Sequence, residues 1–300
     1  TAFVGPGEDI TADLLIRADK AMYRAKREAG GGPEIIDLGN ILPPTDDETL
    51  EADLRAALAA EELAVAYQPI VRTADHTIIG VEALLRWTHS ERGPIPPIVM
   101  VPLAERSVLI VDIGAWVLER ACTDHARWAV AHPCQMLDLA VNVSVRQLMT
   151  SGYCKSVAEI LARTGMNPAS LILELTESIV IEHSARIMAV LVSLNRLGVR
   201  LALDDFGTGY SSLSYLSKLP IQIVKIDQGL ISELNQATGR IVVAGVADIA
   251  HALGISVVAE GVETEMQREE ILAVGCDFAQ GYLFARPMSA DSIEALLVAC

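Results

Sequence analysis

The sequence predicts a (β/α)8 barrel whose first strand runs against the rest. Three observations carry that prediction. From Leu63 onward, eight short apolar runs alternate with helical stretches, the pattern of a parallel sheet with helical crossovers. The first two runs are joined only by Arg72–Thr77; a parallel crossover needs about a dozen residues or more, so this pair reads as an antiparallel hairpin. The length, 300 residues, suits one barrel with an appendage.

The appendage comes first. Residues 1–29 hold a helix pattern, with Leu14, Leu15, Ala18, Met22 and Ala25 on one side. Gly30-Gly31-Gly32-Pro33 ends it, and residues 30–49, with Pro43-Pro44 and the acidic Asp46-Asp47-Glu48, read as a linker. The barrel is expected over 50–300, entered by a helix at about 48–60. Its strands are expected at Leu63–Val71, Ile78–Trp87, Met136–Ser144, Leu171–Thr176, Arg200–Asp205, Ile221–Asp227, Ile255–Glu260 and Phe278–Phe284. Helices are expected at 112–130, 145–164, 184–197, 211–218, 239–253, 264–274 and 289–299. The most apolar window, Ile241–Ala259, is interrupted by Asp248 and His251. It reads as a helix, a Gly254 stop and a buried strand rather than a membrane span.

Composition narrows the partners. About half of the residues are apolar, ample for a full core, and the net charge is −16. Such a charge argues against duplex nucleic acid or an anionic membrane as partner, and leaves a small anionic ligand held through metal ions. The five cysteines form no CxxC pair and read as thiols of a reducing cytoplasm. The six histidines show no ligand spacing, and Asp124 with Arg127 reads as an exposed helix-face pair. No signal peptide is visible, and a chain starting at Thr1 reads as part of something longer.

Barrel active sites lie where strands end at the C-terminal face. There the sequence sets Glu82 and Arg86, Asn142, Glu174, Asp204 with Asp205, Lys225 with Asp227, Glu260 and Gln280. Any one of these acids alone reads as a solvated group or an ion-pair partner, and Lys225 could be a structural partner of Asp227. Six acids at the same ends of apolar strands read as one site. Such a cluster must protonate, pair or bind metal. Oxygen donors favour a hard cation, Mg2+ or Mn2+, and two such ions are a standard device for phosphoester displacement. Asp204 and Asp205 are adjacent, so both reach a metal only if the chain turns there, which Gly207 and Gly209 would permit.

These residues resemble the EAL phosphodiesterase domain over 50–299. The resemblance rests on Tyr67-Gln68-Pro69-Ile70, Glu82-Ala83-Leu84-Leu85-Arg86-Trp87, Val141-Asn142-Val143-Ser144 and Glu174-Leu175-Thr176-Glu177-Ser178. It continues through Asp204-Asp205-Phe206-Gly207-Thr208-Gly209, Lys225-Ile226-Asp227, Glu260-Gly261-Val262-Glu263 and Gln280-Gly281-Tyr282. It implies hydrolysis of cyclic di-GMP to linear pGpG with two metal ions. Glu82, Asn142, Glu174 and Asp204 would hold one ion; Asp204, Asp205 and Glu260 would hold the second. Glu260 is also a general-base candidate. Lys225 would position or polarise water, with Asp227 in support. Gln68, Arg86 and Gln280 would contact the nucleotide. Glu177 and Glu263 would anchor the loop 205–212, which with the following helix is implied in a homodimer. Gln228-Gly229-Leu230 departs from the usual family pattern after Asp227. Residues 13–29 resemble the last helix of a GGDEF domain, whose own signature is nowhere in this chain. The alternative is a family receptor that binds cyclic di-GMP without cutting it; such receptors typically lose metal ligands or the loop motif, and here every ligand position is filled.

Overall fold

The computed structural model describes residues 47–176, 185–207 and 216–298. The chain divides into two compact units, residues 1–50 and 51–300. The architecture below is that of the second.

Among the described residues nine strands form one sheet: β1 (Leu63–Arg72), β2 (Ile78–His89), β3 (Gly93–Ile95), β4 (Asp138–Val143), β5 (Leu171–Thr176), β6 (Arg200–Phe206), β7 (Ile223–Ile226), β8 (Ser256–Ala259) and β9 (Phe278–Ala279). Their order is β1-β9-β8-β7-β6-β5-β4-β2-β3, and a β1–β2 pairing closes eight of them into a barrel. As the short Arg72–Thr77 connection requires, β1 is antiparallel to both neighbours, β2 and β9. The neighbours from β2 through β4 and on to β9 are parallel. Strand β3, outside the eight, pairs antiparallel with β2.

The helices are α1 (Asp47–Ala57), α2 (Pro97–Arg106), α3 (Ile110–Ala131), α4 (Val145–Met149), α5 (Tyr153–Thr164), α6 (Ala185–Arg196), α7 (Gln228–Ser232), α8 (Ala237–Ala252), α9 (Glu265–Ala273) and α10 (Ala290–Val298). The helix expected over 145–164 is two. Ser144 and Gln147 make a capping box that starts α4, and Gly152, at φ 85°, breaks the run before α5. Helix α2 escapes a sequence reading because Pro96 and Pro97 open it and Pro102 lies inside it. Strand β9 stops at Ala279, short of Phe284. Gly281 packs on Val262, where an added Cβ would meet backbone at 2.1 Å, and Leu283 N–H bonds Val262 O, so the chain turns away. The apolar window resolves as expected, with α8, Gly254 at φ 73° and then β8. Among the described residues no helix is long and apolar enough to cross a membrane. Most of the helix expected at 211–218, and the pattern over 1–29, lie outside the described residues.

Asp124 corrects the sequence reading. It is buried rather than exposed, accepts from Tyr67 Oη at 2.7 Å, and pairs with Arg120 Nε at 3.0 Å. The buried phenol needs an acceptor, and α3 supplies it. Arg127 pairs instead with Asp291 and Glu294.

The barrel interior is layered by the two-residue period of its strands. Ile70, Ala140, Ile172, Ala202, Ile223 and Val258 form a buried apolar layer. Two residues further along five of the strands come Asn142, Glu174, Asp204, Lys225 and Glu260. The apolar layer is the floor and the polar layer stands at the C-terminal ends.

Candidate active site

Register and alternation bring the polar layer together. Gln68 on β1 faces Glu82 on β2 across the antiparallel pair, and Asn142 stands beside Glu174 in the β4–β5 pair. Lys225, on a strand between Asp204's β6 and the strand leading to Glu260, is 1% exposed and is the hub. Its Nζ lies 2.7 Å from Glu260 Oε1, 2.9 Å from Glu174 Oε1, 3.2 Å from Asp204 Oδ1 and 3.7 Å from Glu82 Oε2. Glu82, Glu174 and Asp204 are all buried. Glu82 also accepts from Gln280 Nε2 at 2.6 Å and Asn142 Nδ2 at 2.7 Å. Gln280 Nε2 donates further to Gln68 Oε1, and Gln68 Nε2 to Ala285 O.

One cation among four acids is undercompensated, and the ionisation shows it. Burial alone would depress Lys225, but Asp204, Glu174, Glu260 and Glu82 hold it well above its ordinary value. Burial pushes Glu174 well above the carboxylate range; Lys225 opposes this, and the neighbouring Glu82 and Asp204 add to it. Glu260 is pushed by burial to about 8, against the pull of Lys225. Glu82 differs. Burial works against its charge, but Lys225 and the amides of Gln280 and Asn142 win, so it stays below its ordinary value.

The donor set fits a divalent cation. Carboxylate oxygens of Asp204, Asp205 and Glu260 lie within 4.8 Å of one another. Asp205 itself makes this possible: it sits at φ 56°, and the β6–β7 register slips between Leu203 and Phe206. The chain therefore turns at Asp205, two residues before Gly207, and two adjacent side chains serve one place. Glu174 Oε2 is buried and has no hydrogen-bond donor, while Asp204 Oδ1 has only the Lys225 ammonium, which three other acids share. A buried carboxylate oxygen without a donor, beside an all-oxygen cluster, suits a hard cation.

Asp227 lies elsewhere. Strand β7 ends at Ile226, and Asp227 Oδ1 accepts from Gly229 N–H at 2.7 Å, capping α7. Among the described residues the ion-pair partners of Lys225 are the four acids above. Arg86 is half-buried on β2 and bonds Leu85 O. Glu263 is exposed, with its N–H on Gln267 Oε1. Glu177 and most of the loop 205–212 lie outside the described residues. The sequence reading missed the contact of Gln68 with Ala285 O, which no motif signals. His89 and His125 are buried away from the acids, bonded to Asp53 and Leu137 O. A cavity of about 210 Å³ reaches Glu174 and Lys225 from the opposite, N-terminal end of the barrel, past Asp138, Arg200 and Ser256.

Fold and site define a barrel protein with an acidic, cation-seeking centre at the C-terminal ends of its strands. Residues 51–287 match the EAL domain model, and the chain belongs to that family. It is 40% identical over 292 residues to the bifunctional diguanylate cyclase/cyclic di-GMP phosphodiesterase MucR of Pseudomonas aeruginosa, covering 97% of this chain and 42% of that protein. It is 36% identical over 294 residues to the cyclic di-GMP phosphodiesterase PdeR of Escherichia coli, covering 96% of this chain and 43% of that protein. The chain thus spans less than half the length of these relatives. A solved PaMucR phosphodiesterase–c-di-GMP complex is 42% identical with a TM-score of 0.77, covering 82% of this chain and 99% of that one. The EAL enzyme Bd1971, with cAMP and cyclic di-GMP bound, is 28% identical with a TM-score of 0.81, covering 97% of this chain and 77% of that one.

Proposed function

We propose that this domain is a divalent-metal-dependent phosphodiesterase that opens cyclic di-GMP to linear pGpG. The observation that carries the reading is the buried Lys225 with four acids around it, joined to the Asp204–Asp205–Glu260 oxygen cluster. Relatives named as cyclic di-GMP phosphodiesterases support it. Glu82, Asn142, Glu174 and Asp204 would hold one ion, and Asp204, Asp205 and Glu260 a second. Bound there, Mg2+ or Mn2+ supplies Lewis-acid stabilisation of phosphoryl charge and a more acidic water.

The chain's own residues do the rest. Lys225 orients and polarises the attacking water, held in place by acids on neighbouring strands. Glu260, at the rim of the cluster, serves as ligand or as proton acceptor. Gln280 is locked to both Gln68 and Glu82, and Gln68 to Ala285 O, which presents their amides to the nucleotide in a fixed arrangement. Arg86 adds positive charge for the phosphates. Asp227 acts through the α7 it caps. Glu177 and Glu263 act on the segment 205–212, and this segment takes part in a homodimer contact. The domain works in the cytoplasm with its nucleotide. Residues 1–29 come from the C-terminal end of a GGDEF-like domain; the bifunctional MucR, matched along 97% of this chain, supports that reading.

The test is to incubate the purified chain with cyclic di-GMP in Mg2+ and, separately, in EDTA, and to separate the products chromatographically. pGpG in Mg2+ alone is expected. Intact substrate in both tubes, with nucleotide bound, would leave a receptor instead.

A further inference from the structure

Helix α7 departs from the family pattern at Gln228 and Leu230, and its packing gives those positions a task. It follows β7 directly, and β7 lies between β6 and β8, the strands that lead to Asp204–Asp205 and to Glu260. Asp227 starts the helix by capping Gly229 N–H at 2.7 Å. Its own N–H bonds Phe206 O at 3.2 Å, while Glu260 N–H bonds Ile226 O at 3.0 Å. From there α7 meets a glycine on each side. Gly207, two residues after Asp205, has φ 105°, and a Cβ there would fall 2.3 Å from Leu230 Cδ1. Gly261, next after Glu260, has φ 64°, and a Cβ there would fall 2.3 Å from Gln228 Cβ. Neither glycine leaves room for a side chain. Ile231 and Gly229 are buried beneath, so the helix cannot easily withdraw.

We infer that α7 is a spacer. Leu230 against Gly207 and Gln228 against Gly261 set the distance between the two strand exits, and so hold Asp204, Asp205 and Glu260 within reach of one cation. Leu230 and Gln228 are positioning residues; neither reaches the reacting atoms. A cation site tolerates little drift in ligand position, and groups that orient ligands without touching the metal typically govern about 10- to 100-fold of its affinity. The helix makes two contacts on opposite sides, so slackening one lets a strand exit move while the barrel below stays closed. This inference rests on the metal site proposed above.

The experiment measures Mn2+ binding to the full chain by calorimetry, without substrate. Wild type, Leu230→Ala and Leu230→Met are compared, with melting curves in EDTA as the folding control. Leu230→Ala is expected to weaken Mn2+ binding about tenfold while melting as a cooperative fold, and Leu230→Met, close in volume, is expected to restore most of the affinity. Wild-type Mn2+ affinity in a folded Leu230→Ala overturns the spacer and leaves the metal site standing. Absence of Mn2+ binding by the wild type overturns both. If Leu230→Ala does not fold, Leu230→Val replaces it, and an unchanged affinity there overturns the spacer equally.

Discussion

Replacing Lys225 by methionine removes one buried charge and nearly keeps its shape. The structure sets the size of the effect. Lys225 Nζ stands 2.7, 2.9, 3.2 and 3.7 Å from oxygens of Glu260, Glu174, Asp204 and Glu82. At an effective dielectric of about 20, each contact is worth roughly 4–6 kcal/mol before desolvation is counted. Desolvation offsets most of that sum, and the acids respond to loss of the lysine by taking up protons. Breaking a buried pair from one side costs about 3–5 kcal/mol, and this is the loss expected for the metal-free variant at about pH 8. It corresponds to a melting temperature lower by roughly 6–20 °C for a domain of this size. The sign with pH follows from the raised carboxyls. Between an ordinary 4.5 and the raised value of about 8, Glu260 keeps a proton when folded that the unfolded chain has released. Stability of the metal-free protein therefore falls as pH rises through that window, and more steeply in Lys225→Met. Turnover should fall about 10³-fold, as expected when the group that polarises the attacking water is lost. Melting curves in EDTA at several pH values, with rates from product chromatography, test both parts. An unchanged melting temperature together with unchanged turnover would refute the hub.

Three other outcomes are expected. Val108, β-branched and 54% exposed, sits at φ 65°; Val108→Gly should relieve left-handed strain of about 1–2 kcal/mol against a glycine entropy cost of about 0.5–1 kcal/mol. A melting temperature raised by a few degrees is the expected reading, and a lowered one contradicts the strain. Burial pushes the Cys122 and Cys276 thiols up to about 12, while Cys134 is exposed; an aromatic disulfide reagent on the native protein should label Cys134 fast and those two only after unfolding, as peptide mapping would show. Ca2+, which takes longer bonds and more ligands than Mg2+, should compete for the site yet support much slower turnover; equal rates in the two ions would count against a two-metal hydrolysis.

The reversed first strand and the polar ring were legible in the sequence for simple reasons. A six-residue connection cannot cross over, and a two-residue period carries Ala140, Ile172, Ala202, Ile223 and Val258 straight to the site residues above them. The turn that joins Asp204 and Asp205 was legible only as a requirement. The glycines looked like its means, but Asp205 itself takes the left-handed conformation, which aspartate adopts more readily than most residues. The two-residue offset of Asp227 from Lys225 suggested a shared face; the strand ends before that offset applies, and Asp227 caps α7 instead. Asp124 was misread because its partner, Tyr67, is 57 residues away. Local charge patterning along α3 says nothing about a phenol arriving from β1. The spacing role of α7 was not legible, because it depends on two glycines brought to its sides by the barrel closure.

In the proposed function the acids at the strand ends hold the metal on which phosphodiester hydrolysis depends. Initial rates of cyclic di-GMP hydrolysis against Mg2+ concentration, for wild type and Glu82→Ala side by side, test it most directly. A saturable Mg2+ requirement is expected in the wild type, and a loss of at least about 10²-fold in the folded variant. Hydrolysis by Glu82→Ala at the wild-type rate and Mg2+ dependence would contradict it.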